Sequence, residues 1–224
     1  MKRIILLAVI IQLTSFVCAQ SSEIIISEIT GTVEYQTPGS SSWTIARIGD
    51  HLEQSTIIST SFRSSARISV GSSSILVRPL TRLSMQAIVD IENNENIDLT
   101  LRAGRVRVEV TPPSGRRSDF KVQSPSSVAS VRGTTFEIDP VNITVSSGTV
   151  RYEPTGAATF QPVLVNAGQS SWVESGTGKA QNPIVAAEAS RSLPSLPGQA
   201  SVPDITRVAG SEIAGSLELE VGFE

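Results

Sequence analysis

One cysteine and one histidine in 224 residues leave little room for chemistry that depends on thiolates or imidazoles. A single Cys excludes an internal disulfide, and one Cys with one His is too few for most zinc sites or for a Cys/His nucleophile pair. Aromatic residues make up 4% of the chain and charged residues 17%, the latter below the usual quarter. The formal net charge of -3 gives no basic footprint for nucleic acid. Beyond the N-terminus there is no predominantly apolar run of membrane-spanning length. Ser fills the gap with 34 residues, alongside 16 Gly. That composition suits short strands and frequent turns, in one domain with a tail or in two small domains.

The N-terminus reads as an address. Lys2 and Arg3 lead into an apolar run from Ile4 to Ile11, followed by Leu13, Phe16 and Val17, and the stretch closes on Val17-Cys18-Ala19. A basic start, a short apolar centre and a small-residue end have the order of a secretory signal peptide over residues 1–19. The expected product is exported, periplasmic or extracellular, begins at Gln20 and has no transmembrane segment. Cys18 opens a second route, lipidation as in bacterial lipoproteins, with Val17 standing where those prefer a small residue. Removing Lys2 and Arg3 leaves 16 basic against 21 acidic side chains.

From Glu23 to about Val173 the apolar pattern has period two. It runs through Ile24, Ile26 and Glu28, through Ala66-Arg67-Ile68-Ser69-Val70, through Ile75 to Val77, and along Arg105-Val106-Arg107-Val108-Glu109-Val110. Such alternation buries one set of side chains and wets the other. No stretch offers three turns of amphipathic helix, so the expected fold class is all-β. The phrase Gly-x-Val recurs at Gly31-Thr32-Val33, Gly104-Arg105-Val106 and Gly148-Thr149-Val150. Its spacing is too uneven for a repeat of fixed period, and Gly before an alternating strand permits a turn or bulge. Chance recurrence in a β protein explains the phrase equally well.

After Val173 the composition changes. Residues 174–204 are rich in Pro, Gly, Ser and Ala and read as a linker, with a brief helix around Ile184 to Ser192 as one option. Residues 205–224 form a tail in which Leu217, Leu219, Val221 and Phe223 alternate, as for a strand docking on the domain edge or on a partner.

The most distinctive segment is Phe120 to Ile138, with Phe120-Lys121-Val122-Gln123-Ser124-Pro125 followed by Arg132-Gly133-Thr134-Thr135-Phe136. It resembles the signature of the FecR domain family, an extended F-x-V-x-T-P followed by A-x-x-R-G-T-x-F, with Ser124 where that family usually has Thr. Trp43, Gly49-Asp50 and Ile57 to Thr60 fit its opening, and Gly148-Thr149-Val150 and Ala167-Gly168-Gln169 its close. The resemblance covers roughly residues 28–173 and implies a compact module of short strands, solenoid-like or two-layer, with a low-complexity C-terminal tail. Founding members of the family are transmembrane anti-sigma regulators with a cytoplasmic sigma-binding segment. This sequence opens on an export signal instead, so the module carries over and sigma-factor regulation does not.

Within the signature, Gly133 suits a positive φ or a close backbone approach, Arg132 can satisfy several acceptors, and Thr134 can cap a turn. Phe136 and Ile138 then alternate inward. This is a scaffold reading, in preference to a ligand-binding one, and it predicts a clear loss of stability for Arg132→Ala. His51 reads as an exposed loop residue, with only Asp50 and Glu53 as sequence neighbours, and no Gly-x-Ser-x-Gly elbow accompanies the many serines. The acidic stretch Asp90 to Asp98 lacks the Gly of a calcium loop and reads as a solvated hairpin turn. Arg102, Arg105, Arg107, Arg116, Arg117 and Lys121 form a local basic region, explained by a polar strand face, with an anionic wall polymer or lipid head group as the functional alternative. Trp43 and Trp172 are candidate ligand contacts, by stacking on sugars, with core packing as the ordinary outcome. The sequence thus points to a non-enzymatic binding or scaffolding module of the cell envelope with no cofactor or metal. Its expected partner is an envelope protein or a wall polymer such as peptidoglycan.

Overall fold

The computed structural model describes residues 23–91, 94–112, 114–115, 117–155 and 161–185. The expected signal peptide, Cys18 and the tail 205–224 lie outside these residues. Among the described residues seventeen strands follow one another: β1 Ile24–Thr30, β2 Val33–Gln36, β3 Thr44–Ile45, β4 Ile57–Thr60, β5 Ser65–Val70, β6 Ser73–Val77, β7 Arg82–Ile91, β8 Asn94–Ala103 and β9 Val106–Glu109. Then come β10 Arg117–Gln123, β11 Ser127–Val131, β12 Thr135–Ile138, β13 Asn142–Ser147, β14 Thr149–Pro154, β15 Val163–Asn166, β16 Gln169–Trp172 and β17 Ile184–Val185. The described chain is all-β and contains no helix.

The strands build two sheets. Sheet A has the order β1-β5-β6-β9-β12-β13-β16-β17, and sheet B the order β15-β14-β11-β10-β8-β7-β4-β2-β3. Along sheet A the strand number only rises. Along sheet B, read from its β3 end, it also rises, apart from the exchange of β2 and β3. The chain therefore lays one or more strands in one sheet, crosses to the other, and advances towards the same end each time. The module is two-layered and wound like a solenoid at once. All pairings are antiparallel except β8 with β10, which are parallel because β9 intervenes in the other sheet.

Alternation fills the space between the layers. Ile68, Ile75, Val106, Val108, Phe136 and Ile143 from sheet A share one core with Ile58, Leu83, Leu99, Phe120, Val122 and Val150 from sheet B. Each fully buried Val, Ile, Leu or Phe stabilises the fold by about 1.5–3 kcal/mol relative to exposure. In β9 the expected split holds, with Val106 and Val108 buried and Arg107 and Glu109 exposed. In β1 the register shifts between Ile26 and Glu28, so Ile24 and Ile26 point inward and Ile29, after the bulge, packs partly against the core.

Three of the crossings between sheets follow one chemical pattern. Gly31, Gly104 and Gly148, which open the three Gly-x-Val phrases, all sit at a crossing with φ of 72°, 84° and 81°. A Cβ at these positions would stand 2.4 Å from Ser64 Oγ, 2.3 Å from Thr81 Oγ1 and 2.6 Å from Thr134 Cγ2, respectively. Ser64, Thr81 and Thr134 are buried, and two of their hydroxyls bond the crossing backbone. Thr32 N–H donates to Ser64 Oγ at 2.9 Å, and Arg105 N–H donates to Thr81 Oγ1 at 2.9 Å. The Val two residues after each Gly is buried: Val33 and Val106 start β2 and β9, and Val150 is the second residue of β14. A positive φ and a close approach explain the recurrence.

The boundary expected at Val173 falls too early. Val173 bridges Ala180, which is buried, and β17 pairs with β16 at Ser170 and Gln169. Ser171 Oγ donates to the Gln181 carbonyl at 2.7 Å, and Gln181 N–H donates to the Trp172 carbonyl at 2.9 Å. Residues 174–185 thus belong to the folded module, and Ile184–Val185 is strand where a helix was one option. The Gly and Ser of this segment serve a folded turn, a use that composition alone does not distinguish from a linker.

Candidate functional site

The outward face of sheet B carries a groove of about 810 Å³. It runs across β8, β10, β11 and β14 to Leu164 on β15, with Gly133 and Gly148 at its corner end. The strand register sets its rows. Lys121 lies between Asp98 on β8 and Ser130 on β11, and Ser130 lies between Lys121 and Arg151 on β14, which in turn pairs with Leu164. All of these alternate with buried neighbours (Phe120, Val122, Ala129, Val131, Val150, Tyr152), so all face outward. Asp119 and Arg132 occupy the adjoining row.

Ion pairs hold the cations apart. Arg132 Nε is 2.5 Å from Asp119 Oδ1, Lys121 Nζ is 3.9 Å from Asp98 Oδ1, and Arg151 Nη2 is 3.4 Å from Glu153 Oε2. The signature residues divide here. Phe136 is fully buried, and Gly133 has φ of 77°, with Pro112 Cγ 3.0 Å from where a Cβ would stand. These two are placed by packing and backbone geometry. Thr134 is buried, but its Oγ1 bonds nothing among the described residues, so it packs against Gly148 and does not cap the turn. Arg132 departs from expectation more fully. Its side chain is 68% exposed and meets a single carboxylate, because the positive φ at Gly133 turns the chain towards sheet A and leaves the guanidinium on the groove rim.

Below the groove, Tyr152 is the largest buried side chain, and its hydroxyl donates to the Val141 carbonyl at 2.8 Å. Burial, helped by the negative charge of Asp139 and opposed by a hydrogen bond with Ser127, pushes its pKa up to about 12. Ser124, the residue standing for Thr in the signature, donates to the Pro140 carbonyl at 3.0 Å, accepts the Ser127 N–H at 3.0 Å and lies 2.8 Å from Ser127 Oγ. It ties sheet B to the loop after β12.

The other expected site residues are scattered. Trp43 is 37% exposed beside β3, with the Arg82 guanidinium 5.3 Å over its ring, whereas Trp172 is half-buried on β16. They stand near opposite ends of the winding, so they cannot share one sugar. His51 is exposed and pairs with Glu23 at 2.7 Å. The stretch around Asp90 to Asp98 is a hairpin in which Asp90 pairs with Glu95 and Ile91 with Asn94. Its Glu92 and Asn93 lie outside the described residues. The basic region is split between the layers. Arg105 belongs to the sheet A face with Glu137 (3.4 Å) and Asp139 (3.3 Å), and Lys121 to the sheet B face. Sequence reasoning missed Asp98, Asp119, Ser130 and Arg151 as a group because four different strands supply them.

Residues 56–151 match the FecR protein family. The matched stretch is a little under half of the chain and narrower than the resemblance read from the sequence. It holds β4 to β13 and the start of β14, including the whole signature and most of the groove. Strands β1 to β3 and β15 to β17 flank the FecR stretch yet continue the same two sheets. Two crystal structures of a candidate anti-sigma factor from Parabacteroides distasonis are similar to the chain at 12% identity and a TM-score of 0.46. The similarity covers 58% of this chain and 59% of that protein, so this chain spans about three fifths of its length. No curated protein matches the chain.

Proposed function

We propose that the protein is a non-enzymatic binding module of FecR type, exported to the cell envelope by residues 1–19, which engages its partner through the outward groove of sheet B. The observation that carries this reading is the position of Arg132. It belongs to the most distinctive phrase of the FecR stretch, yet its side chain is exposed on the groove rim and held by one carboxylate. An exposed pair of this kind contributes about 0–1 kcal/mol, too little to account for the residue through stability. Phe136 and Gly133, four and one residues away in the same phrase, account for the scaffold.

A photocrosslinking residue in place of Ser130 in the full chain tests the reading. Capture in the envelope fraction is expected from that position and not from Arg107, on the opposite sheet. Equal capture from both positions, or recovery of the chain in the cytosol with residues 1–19 intact, overturns it. The alternative, a carbohydrate- or peptidoglycan-associated module using Trp43 or Trp172, rests on the partly exposed Trp43 ring. Cosedimentation with isolated peptidoglycan that is lost on Trp43→Ala would favour it.

A further inference from the structure

We propose that Ser130 and the cations around it form a binding site for an oxyanion, a phosphate or carboxylate group, on the floor of the sheet B groove. This rests on the reading of that groove as the binding surface. Ser130 is flanked by Lys121 on β10 and Arg151 on β14, its direct partners across the sheet. Directly opposed side chains on one face stand about 5 Å apart at Cβ. Arg132 follows two residues further along the same strand line and also lines the groove. The lining therefore holds three cations against two carboxylates, Asp98 and Asp119, in a chain whose net charge is -3.

The arrangement of these charges matters more than their number. Each cation has its carboxylate to one side: Asp98 beyond Lys121, Asp119 beside Arg132, Glu153 beside Arg151. Between Lys121 and Arg151 stands a hydroxyl, and no described side chain bonds Ser130 Oγ. The outward face of sheet A shows a carboxylate meeting two cations, in a different arrangement. There Glu137 bonds Arg78 (2.8 Å) and Arg105 (3.4 Å), one oxygen for each guanidinium, and both cations reach it from the β6–β9 side of β12. On sheet B the place between the cations is a serine, which donates a hydrogen bond and leaves the charge to a ligand. An oxyanion there would gain charge-assisted bonds from Arg151 and Lys121 and a hydroxyl donor beneath it. The existing pairs are exposed and weak, so exchanging them costs little.

Amide chemical shifts of the full chain, titrated with inorganic phosphate and separately with sodium glutamate at ionic strength matched with chloride, test the site. Saturating shifts are expected at Lys121, Ser130 and Arg151, with Lys121→Gln and Arg151→Gln each weakening binding about fivefold or more, the loss of one charge-assisted bond. Arg107→Gln, on the other sheet, should leave binding unchanged. A phosphate-bearing wall polymer that displaces inorganic phosphate would place the anion on a polymer, and failure to displace it would mark the free anion. Shifts that never saturate with either anion, or equal weakening by Arg107→Gln, overturn the oxyanion site. Retention of the Ser130 crosslink in that case would show that the groove binds something of different chemistry.

Discussion

Thr81 Oγ1 accepts the Arg105 N–H at 2.9 Å and stands where a Cβ on Gly104 would have to go, 2.3 Å from that atom. The same position would meet Thr81 Cα at 2.5 Å and the Leu80 carbonyl at 2.6 Å, backbone atoms that have no rotamer to yield. Gly104→Ala is therefore expected to lose about 2–4 kcal/mol, the positive φ and the overlap acting together. Gly49 is the control. It has φ of 91° but nothing within 4 Å of its Cβ position, so Gly49→Ala should cost only the conformational part, about 1 kcal/mol. Urea midpoints at unchanged m-value decide it, and equal losses at the two sites would refute the close-approach argument.

Phe136 and Arg132 share one phrase of sequence and should respond oppositely to truncation. Phe136→Ala opens a cavity between the sheets and is expected to cost about 3–5 kcal/mol. Arg132→Ala is expected to cost less than about 1 kcal/mol and to lose even that at high salt. This reverses the stability loss that the sequence suggested for Arg132. A large shift in the melting midpoint of Arg132→Ala would return the residue to the scaffold.

Ser124 bonds both the Pro140 carbonyl and the Ser127 backbone. Ser124→Ala leaves the Ser127 N–H without that acceptor in a buried place and should cost about 1–3 kcal/mol. Ser124→Thr keeps the hydroxyl and restores the residue usual in the FecR signature, so it should retain most of the stability. A threonine variant as weak as the alanine one would mean that shape, not the hydroxyl, matters there.

Tyr152 makes the fold sensitive to alkali. Its folded pKa of about 12 lies above the ordinary value of 10, so the folded state holds the proton more tightly. That contribution is complete below pH 10 and is lost as pH rises through about 12, at roughly 1.4 kcal/mol per pH unit. Denaturant unfolding across this window should show the slope, and Tyr152→Phe should remove it while costing about 1 kcal/mol at neutral pH for the bond to Val141. An unchanged slope in the variant would assign the alkaline loss to other groups.

The two layers were legible because Val and Ile alternate along β5, β6 and β9 with few interruptions. The crossings were half legible: Gly31, Gly104 and Gly148 stood out, but their buried partners Ser64, Thr81 and Thr134 lie 33, 23 and 14 residues away in the chain. The bulge after Ile26 was hidden because three consecutive Ile satisfy either register. Arg132 was misplaced because a strand pattern tells which face a residue takes only while the strand continues, and Gly133 ends it. The groove was illegible for a related reason. Alternation marks Asp98, Lys121, Ser130 and Arg151 as outward, yet only the order of strands, with β9 sent to the other sheet, makes them neighbours.

The steady rise in strand number along both sheets has a consequence for how the chain becomes ordered. Each strand docks beside one laid no more than four strands earlier, so the loops to be closed are of intermediate length and none spans the whole module. Construction can proceed like courses of brick, each new pair waiting for strands laid on the far wall, with the parallel β8–β10 step as the course that waits for a single one, β9.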